Sequence, residues 1–225
     1  RLFVKKILVV APHPDDETLG YGGTLLKHRN NGDEIHWLLI TKISEDLDFS
    51  LSKIHERDLE IDAVKKAYEF TSLTRLNFDT MTLDTVPLIN LIGKISSVIK
   101  EIKPEIVYLP NRNDAHSDHA VVFDATLACS KSFRYPWVKS VYAYETLSET
   151  EFGFKPEDTG FKPNLLVNIE STIDKKIDIM KIYKSELAPF PFPRSETCIR
   201  ALAQLRGSQC NVLAAEAFMI IKEIR

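Results

Sequence analysis

Residues 3–17 read FVKKILVVAPHPDDE, a hydrophobic stretch that runs directly into a cluster of acidic side chains. The apolar and β-branched residues over 3–11 predict a strand that is mostly buried. A helix over 17–31 follows the acidic cluster and ends where asparagines and a glycine break the pattern. A strand, a loop and a helix in this order are the unit from which parallel α/β sheets are built.

The rest of the chain continues this alternation. Further strands are predicted over 34–43, 73–78, 105–110, 138–144 and 164–169, and further helices over 53–70, 86–102, 117–131 and 171–185. Together they predict an α/β fold with a mostly parallel sheet and helices on both faces. The segment 145–163 shows no periodicity and is interpreted as a long loop that acts as a lid or pocket wall. The proline-rich segment 186–196 is interpreted as a rigid connection. For Arg194 in this segment a surface position is favoured over a contact with the substrate.

Length and composition exclude several classes of protein. The chain has 225 residues, of which 44% are hydrophobic and 27% charged, so wholesale disorder is excluded and one domain over 1–225 is expected. The net charge of −3 argues against nucleic-acid binding, which needs a basic excess. Three scattered cysteines are too few for a disulfide scaffold or a cysteine-ligated zinc site. Because neither a signal peptide nor a membrane span is recognisable, we expect a cytoplasmic protein without a transmembrane segment.

The first cluster whose side chains are suited to metal binding or catalysis is His13-Pro-Asp-Asp-Glu17. In open parallel sheets, ligands bind outside the carboxyl ends of the strands. The loops 12–23, 41–52 and 111–117 all follow predicted strands, so they are expected at this one edge of the sheet. Adjacent carboxylates repel each other, and a divalent metal removes that repulsion. The glycines come after the acidic residues, so this segment does not match the dinucleotide-binding fingerprint.

The second cluster is Asn113-Asp-Ala-His-Ser-Asp-His119, which follows the strand predicted over 105–110. If a helix begins near Ser117, His116 and His119 share a face of its first turn. Asp118 lies between them and can orient an imidazole. The two clusters are expected to meet, because both follow strands at the same edge of the sheet.

Together the clusters supply the parts of a catalytic metal site. His13, Asp16 and His119 form a set of two nitrogen ligands and one oxygen ligand, which leaves a position open for water, as in catalytic zinc sites. Asp15 is then available to take a proton from that water as general base. His116 is available to donate to a developing oxyanion or a leaving amine. These roles suit metal-assisted hydrolysis of an amide or ester.

The motifs A-P-H-P-D-D-E, G-x-G-G and H-x-D-H resemble those of the PIG-L-type (LmbE-like) N-acetylglucosaminyl de-N-acetylase family. Weaker similarities extend over most of the chain and include Arg57-x-x-Glu60 and Tyr183-x-Ser185-Glu186. The resemblance implies a Rossmann-like fold and a zinc-dependent deacetylase, with Fe²⁺ as another possible metal. Its substrate would be a small N-acetylglucosamine-type sugar or sugar conjugate.

Carried over by position, the resemblance implies that His13, Asp16 and His119 bind the metal. It also implies that Asp15 is the general base and that His116 stabilises the reaction intermediate. It adds Asp118 as the acidic neighbour of that histidine. Arg57 matches an arginine near the sugar-binding side, and Asp79 matches an acidic residue that binds sugar hydroxyls. One departure is the segment Lys42-Ile-Ser-Glu-Asp46, where many relatives have a Gly-Glu pair, so the group attached to the sugar can differ.

Two other readings use the same residues. Two histidines and a carboxylate also form the facial triad of iron oxygenases, but those ligands usually lie on an all-β barrel. A Rossmann-like module that binds a sugar or nucleotide without hydrolysing it is the main alternative, because such sheets host many functions. The sequence does not indicate the oligomeric state.

Overall fold

The computed structural model describes residues 4–225 and contains one seven-stranded sheet with six α-helices. The strands are β1 (Lys6–Ala11), β2 (Glu34–Lys42), β3 (Ser72–Asp79), β4 (Ile106–Pro110), β5 (Ser140–Tyr144), β6 (Leu165–Asn168) and β7 (Ala215–Glu223). The helices are α1 (Asp16–Asn30), α2 (Leu51–Tyr68), α3 (Leu88–Ile102), α4 (Ser117–Ala128), α5 (Ile173–Met180) and α6 (Glu196–Ser208). The predicted first strand began at Phe3, which lies outside the described residues.

The order of strands in the sheet is β3-β2-β1-β4-β5-β7-β6. The neighbours from β3 to β5 are parallel, whereas β7 runs antiparallel to both β5 and β6. The predicted α/β fold with a mostly parallel sheet is therefore confirmed. The chain proceeds from β1 to one side and returns to the other side at β4, which makes the gap above these two strands the switch point where such sheets bind ligands.

The core lies on both faces of the sheet, as the continuous apolar pattern of the first strand requires. Along β1, Ile7 and Val9 belong to the hydrophobic cluster on one face, and Leu8 and Val10 to the cluster on the other. All four side chains are fully buried, and each such burial contributes about 1.5–3 kcal/mol to stability. β1 is therefore a rigid base for the loop that follows it.

The C-terminal part of the structure differs from the sequence prediction. The helix predicted over 171–185 ends at Met180, and the sequence analysis predicted neither α6 nor β7. Ser195 caps α6 by accepting a hydrogen bond from the Cys198 backbone N–H, a local signal that the sequence does contain. β7 includes a buried glutamate, Glu216, whose burial depends on a partner far away in sequence. Among residues 4–225, no helix has both the length and the apolar character needed to cross a bilayer.

Candidate metal centre and active site

Two loops at the carboxyl ends of neighbouring strands bring the predicted ligands together. Residues 12–15 connect β1 to α1, and residues 111–116 connect β4 to α4. Because β1 and β4 are paired in parallel, both loops emerge side by side. As a result the His13 and His119 rings are stacked with their centroids 5.4 Å apart.

His13, Asp16 and His119 each direct one potential ligand atom towards a common point. These atoms lie within 4.8 Å of one another. Asp16 Oδ2 is 3.2 Å from His13 Nδ1 and 3.4 Å from His119 Nε2. Contacts and charge of the two histidines outweigh the effect of burial and lower the pKa of Asp16, so this carboxylate is ionised. The three residues named from the sequence are therefore close enough to share one cation.

His119 has the hydrogen bonding of a metal ligand. The side chain is fully buried, and its Nδ1 lies 2.7 Å from Asp114 Oδ2. A carboxylate that accepts this bond keeps the ring proton on Nδ1, which turns the Nε2 lone pair towards Asp16. Nε2 is buried without a hydrogen-bond partner among residues 4–225. This unpartnered nitrogen, together with the N/N/O donor set, fits a divalent metal such as zinc.

The electrostatics of the cluster favour a positive charge at the same place. Burial lowers the pKa of His13, but its contacts with Asp118 and Asp16 outweigh that effect and raise the pKa to about 9. Burial likewise lowers the pKa of His119, and the neighbouring Asp16 and Asp114 raise it well above the ordinary value. The carboxylates thus favour a positive charge between the two rings, and a divalent cation would supply that charge in place of protons.

Asp118 lies closer to His13 than to His116. Its Oδ2 is 3.0 Å from His13 Nε2 and 3.9 Å from His116 Nδ1. Asp118 is fully buried and also accepts the backbone N–H groups of Met81 and Leu83, at 2.9 and 3.3 Å. The acidic neighbour expected for His116 therefore orients the His13 ring in this structure.

His116 begins α4 and lies at the open side of the cluster. Its Nδ1 accepts the Asp118 backbone N–H at 3.2 Å, so in the neutral ring the proton is on Nε2. Its own backbone N–H donates to Glu149 Oε2 at 3.0 Å. Burial, followed by the charge of His13, lowers the pKa of His116 to about 4. The ring is thus a neutral donor at Nε2.

Asp15 has an unusual backbone at the start of α1. Its φ of 116° lies in the left-handed region, and its side chain does not cap the helix. Burial, followed by the charge of Asp16, raises the pKa of Asp15 well above the ordinary value. A buried carboxylate with a raised pKa beside a candidate metal site is suited to act as a general base.

Arg57 and Arg194 approach the same cavity from different elements. Arg57 of α2 contacts Glu186, donates to Ser185 Oγ at 2.9 Å, and lies 3.4 Å from the Pro14 carbonyl. Arg194 lies 3.3 Å from Asp15 Oδ2. The favoured surface position of Arg194 is wrong, because its side chain lines the cavity, where the alternative contact with a substrate stays open. The proline-rich segment 186–196 has no periodic pattern from which the position of Arg194 could be predicted.

The cavity above these residues has a volume of about 330 Å³. Its charged and titratable lining residues are His13, Asp15, Asp16, Lys42, Lys53, Arg57, His116, Glu149, Glu186 and Arg194. Thr146, Ser148 and Glu149 form one wall, so the start of the 145–163 loop reaches the pocket as expected. Thr80 and Met81 also line it, whereas Asp79 does not.

Asp114, Glu149, Glu186 and Arg194 are site residues whose roles the sequence analysis did not identify. Asp114 is the one that the sequence comes closest to indicating, because it lies in the same acidic loop as the histidines. Asn111 Nδ2 and Thr150 Oγ1 both donate to its Oδ1, at 2.7 and 2.8 Å. The other three come from loops whose paths depend on tertiary contacts.

Comparison with known proteins agrees with this picture. The profile of the GlcNAc-PI de-N-acetylase family, PIG-L, matches residues 8–130, more than half of the chain. The diacetylchitobiose deacetylase of Thermococcus kodakarensis is 24% identical over 233 residues, which cover 98% of this chain and 85% of that protein.

Solved structures share the fold. A conserved protein of Thermus thermophilus aligns with a TM-score of 0.77 at 24% identity, over 99% of this chain and 97% of that chain. The 4-carboxy-2-hydroxymuconate hydratase of Pseudomonas putida aligns with a TM-score of 0.73 at 19% identity, over 99% and 98% of the two chains. The match of the family profile over residues 8–130, which include both His/Asp clusters, shows that the chain belongs to the GlcNAc-PI de-N-acetylase (PIG-L) family.

Proposed function

We propose that this protein is a metal-dependent hydrolase that removes the acetyl group from an N-acetylglucosamine-type sugar or sugar conjugate. The observation that carries this proposal is the convergence of His13, Asp16 and the buried His119. His13 and Asp16 line one cavity together with Asp15 and His116. The fold alone does not select this reaction, because a hydratase has a similar fold. Family membership and the deacetylase activity of the Thermococcus relative favour deacetylation.

The metal would be held by His13, Asp16 and His119, with Zn²⁺ as the expected ion and Fe²⁺ as another that this donor set accepts. When bound, such an ion lowers the pKa of water and polarises a carbonyl oxygen. Asp114 holds the His119 ring and Asp118 the His13 ring, so that both present a nitrogen to the common point.

The remaining residues act on the substrate and its protons. Asp15 takes the proton of the attacking water as general base, a role that contributes about 10²–10⁴-fold in rate. His116 donates from Nε2 to the oxygen or nitrogen on which charge develops, worth about 3–4 kcal/mol in such sites. Arg57 lines the cavity, which supports its proposed contact with the sugar. Asp79 does not line the cavity, so its proposed contact with sugar hydroxyls requires a rearrangement near Thr80.

The partners we propose are small N-acetyl sugar conjugates, and the compartment is the cytoplasm. Support for a reducing compartment comes from Cys129, Cys198 and Cys210, all of which are free thiols. The cavity does not distinguish among aglycones on charge alone, because it is lined by residues of both signs.

The experiment is an assay of amine and acetate release from a panel of conjugates. The panel contains N-acetylglucosamine, its β-1,4-linked dimer and glycosides with polyol or acidic aglycones. We expect the zinc-loaded protein to deacetylate at least one of them, and a chelator to abolish the reaction until zinc is restored. A zinc-loaded protein that binds these sugars without releasing acetate would instead be a binding module.

A further inference from the structure

Arg194, on the wall of the cavity, connects Asp15 to the segment between α5 and α6, to which no function has been assigned. We propose that Arg194 is a positioning residue that holds the Asp15 carboxylate in the orientation needed to accept a proton. This inference rests on the deacetylation proposed above and adds to it a residue from the segment between α5 and α6.

The guanidinium of Arg194 is held between two carboxylates. Its Nη1 lies 3.3 Å from Asp15 Oδ2, and its Nη2 lies 3.2 Å from Glu186 Oε2. The other oxygen of Glu186 is taken by Arg57 of α2. Arg194 also lies over the Phe192 ring, 5.4 Å from its centroid. Because a guanidinium is planar and rigid, anchoring it from the Glu186 side fixes the donor that reaches Asp15.

Arg194 contacts one of the two carboxylate oxygens of Asp15 and not the other. Within residues 4–225, Oδ2 accepts only from Arg194, and no hydrogen bond reaches Oδ1. One oxygen is therefore held while the other stays available for a proton. The left-handed backbone at Asp15 persists only where the surroundings hold it, as is common in active sites.

The hydrogen bonding of Arg194 argues against a purely stabilising role. Its Nε is buried without a hydrogen-bond partner in the described part of the chain, and such a donor is costly to leave unpaired. A residue selected only for stability would not be expected to keep that cost. Arg194 keeps this unpaired donor at a position beside Asp15 and on the wall of the cavity, which points to a role in the active site.

The test compares Arg194→Met with Arg194→Lys, using Arg200→Met as a matched control. Arg200 lies nearby on α6 and pairs at the surface with Asp174 and Glu196. We expect Arg194→Met to lower kcat by about 100-fold, because small misplacements of a catalytic group have effects of this size. The KM and zinc content should stay near wild type, Arg194→Lys should recover part of the loss, and the control should match wild type.

Two results would overturn the inference. One is a kcat for Arg194→Met within about threefold of wild type, and the other is a loss of kcat that follows a loss of bound zinc. Crystal structures of the wild type and Arg194→Met test the positioning directly. We expect Asp15 to change its side-chain conformer or become disordered, and an unmoved, ordered Asp15 would refute the idea. If no conjugate is deacetylated by the wild type, the proposed function fails, while the crystal structures still decide the role of Arg194.

Discussion

The imidazole of His119 has one nitrogen committed to the protein and one left over. Asp114 takes Nδ1, and Nε2 lies buried 3.4 Å from Asp16 Oδ2. An arrangement of this kind fixes both the tautomer and the direction of the free lone pair before any ligand binds. At the residue scale, the site therefore depends on neighbours such as Asp114 as much as on the ligands themselves.

Replacing Asp114 tests this dependence. We expect Asp114→Asn to weaken zinc binding by about 10–100-fold, because the amide is a weaker and less directional partner for Nδ1. Competition with a zinc-binding dye measures the affinity. Asp124→Asn is the matched control, since the one ion pair of Asp124 within residues 4–225 is with Arg112 at the surface. Equal zinc affinity in wild type and Asp114→Asn would contradict the role given to Asp114.

Asp15 is expected to separate catalysis from metal binding. Asp15→Asn should keep the fold and the zinc content but lower kcat by about 10²–10⁴-fold, because an amide cannot take the proton. Acetate release, metal analysis and circular dichroism measure the three quantities. Turnover at the wild-type rate would rule out Asp15 as the general base.

At the scale of elements, α1 is interrupted close to the site. Tyr21 has φ −154° and ψ 28°, which breaks the helical backbone. Glu216 of β7 accepts the backbone N–H groups of Gly23 and Thr24 at 2.8 and 2.7 Å, where the second half of the helix begins. Lys176 of α5 donates to the Leu19 carbonyl at 2.9 Å and pairs with Glu216 at 2.8 Å. The break therefore leaves these backbone groups satisfied by buried charges.

Gly20 permits the close packing of α1 against β5. A Cβ at this position would lie 2.3 Å from Cδ2 of the buried Tyr144 ring. We expect Gly20→Ala to lower the free energy of unfolding by about 1–3 kcal/mol, because a packed core must shift to admit the methyl group. Urea denaturation measures the change.

Gly93 supplies the control for that substitution. It lies within α3, and a Cβ there would meet nothing within 4 Å. Gly93→Ala should therefore stabilise the protein by about 0.5–1 kcal/mol, the ordinary difference in helix propensity. If both substitutions have the same effect, the contact with Tyr144 is not what makes Gly20 necessary.

At the scale of the whole molecule, metal binding and folding are expected to be coupled. The three candidate ligand residues come from α1, α4 and the loop after β1, which meet only in the folded chain. Zinc at about 100 times its dissociation constant should stabilise the fold by about 2.7 kcal/mol, or roughly 5–10 °C in Tm for a protein of this size. Thermal melts with and without zinc measure the shift.

The variant His119→Ala provides the internal comparison. It removes one of the two nitrogen ligands, so the zinc-dependent rise in Tm should disappear. A shift as large as in the wild type would place the metal elsewhere on the chain. Melts of Asp124→Asn should retain the full shift, because Asp124 pairs with Arg112 at the surface.

The sequence by itself determined the order of the elements from β1 to β6 and the two chemical clusters. Continuous apolar strands, amphipathic helices and loop residues are local patterns, and the rule for ligands at parallel sheets places both loops at one edge. These patterns predict that His13, Asp16 and His119 lie close together, as they do in the structure.

Only the tertiary structure decided which side chains support that site. The Asp118 carboxylate lies closer to His13 than to His116, Arg194 reaches Asp15, and β7 buries Glu216 against α1. Each of these contacts joins segments far apart in sequence, where neither periodicity nor a local motif reports which loop folds over which. Buried charges of this kind are stable only with their partners in place, so their roles follow from the packing of the whole sheet and its helices.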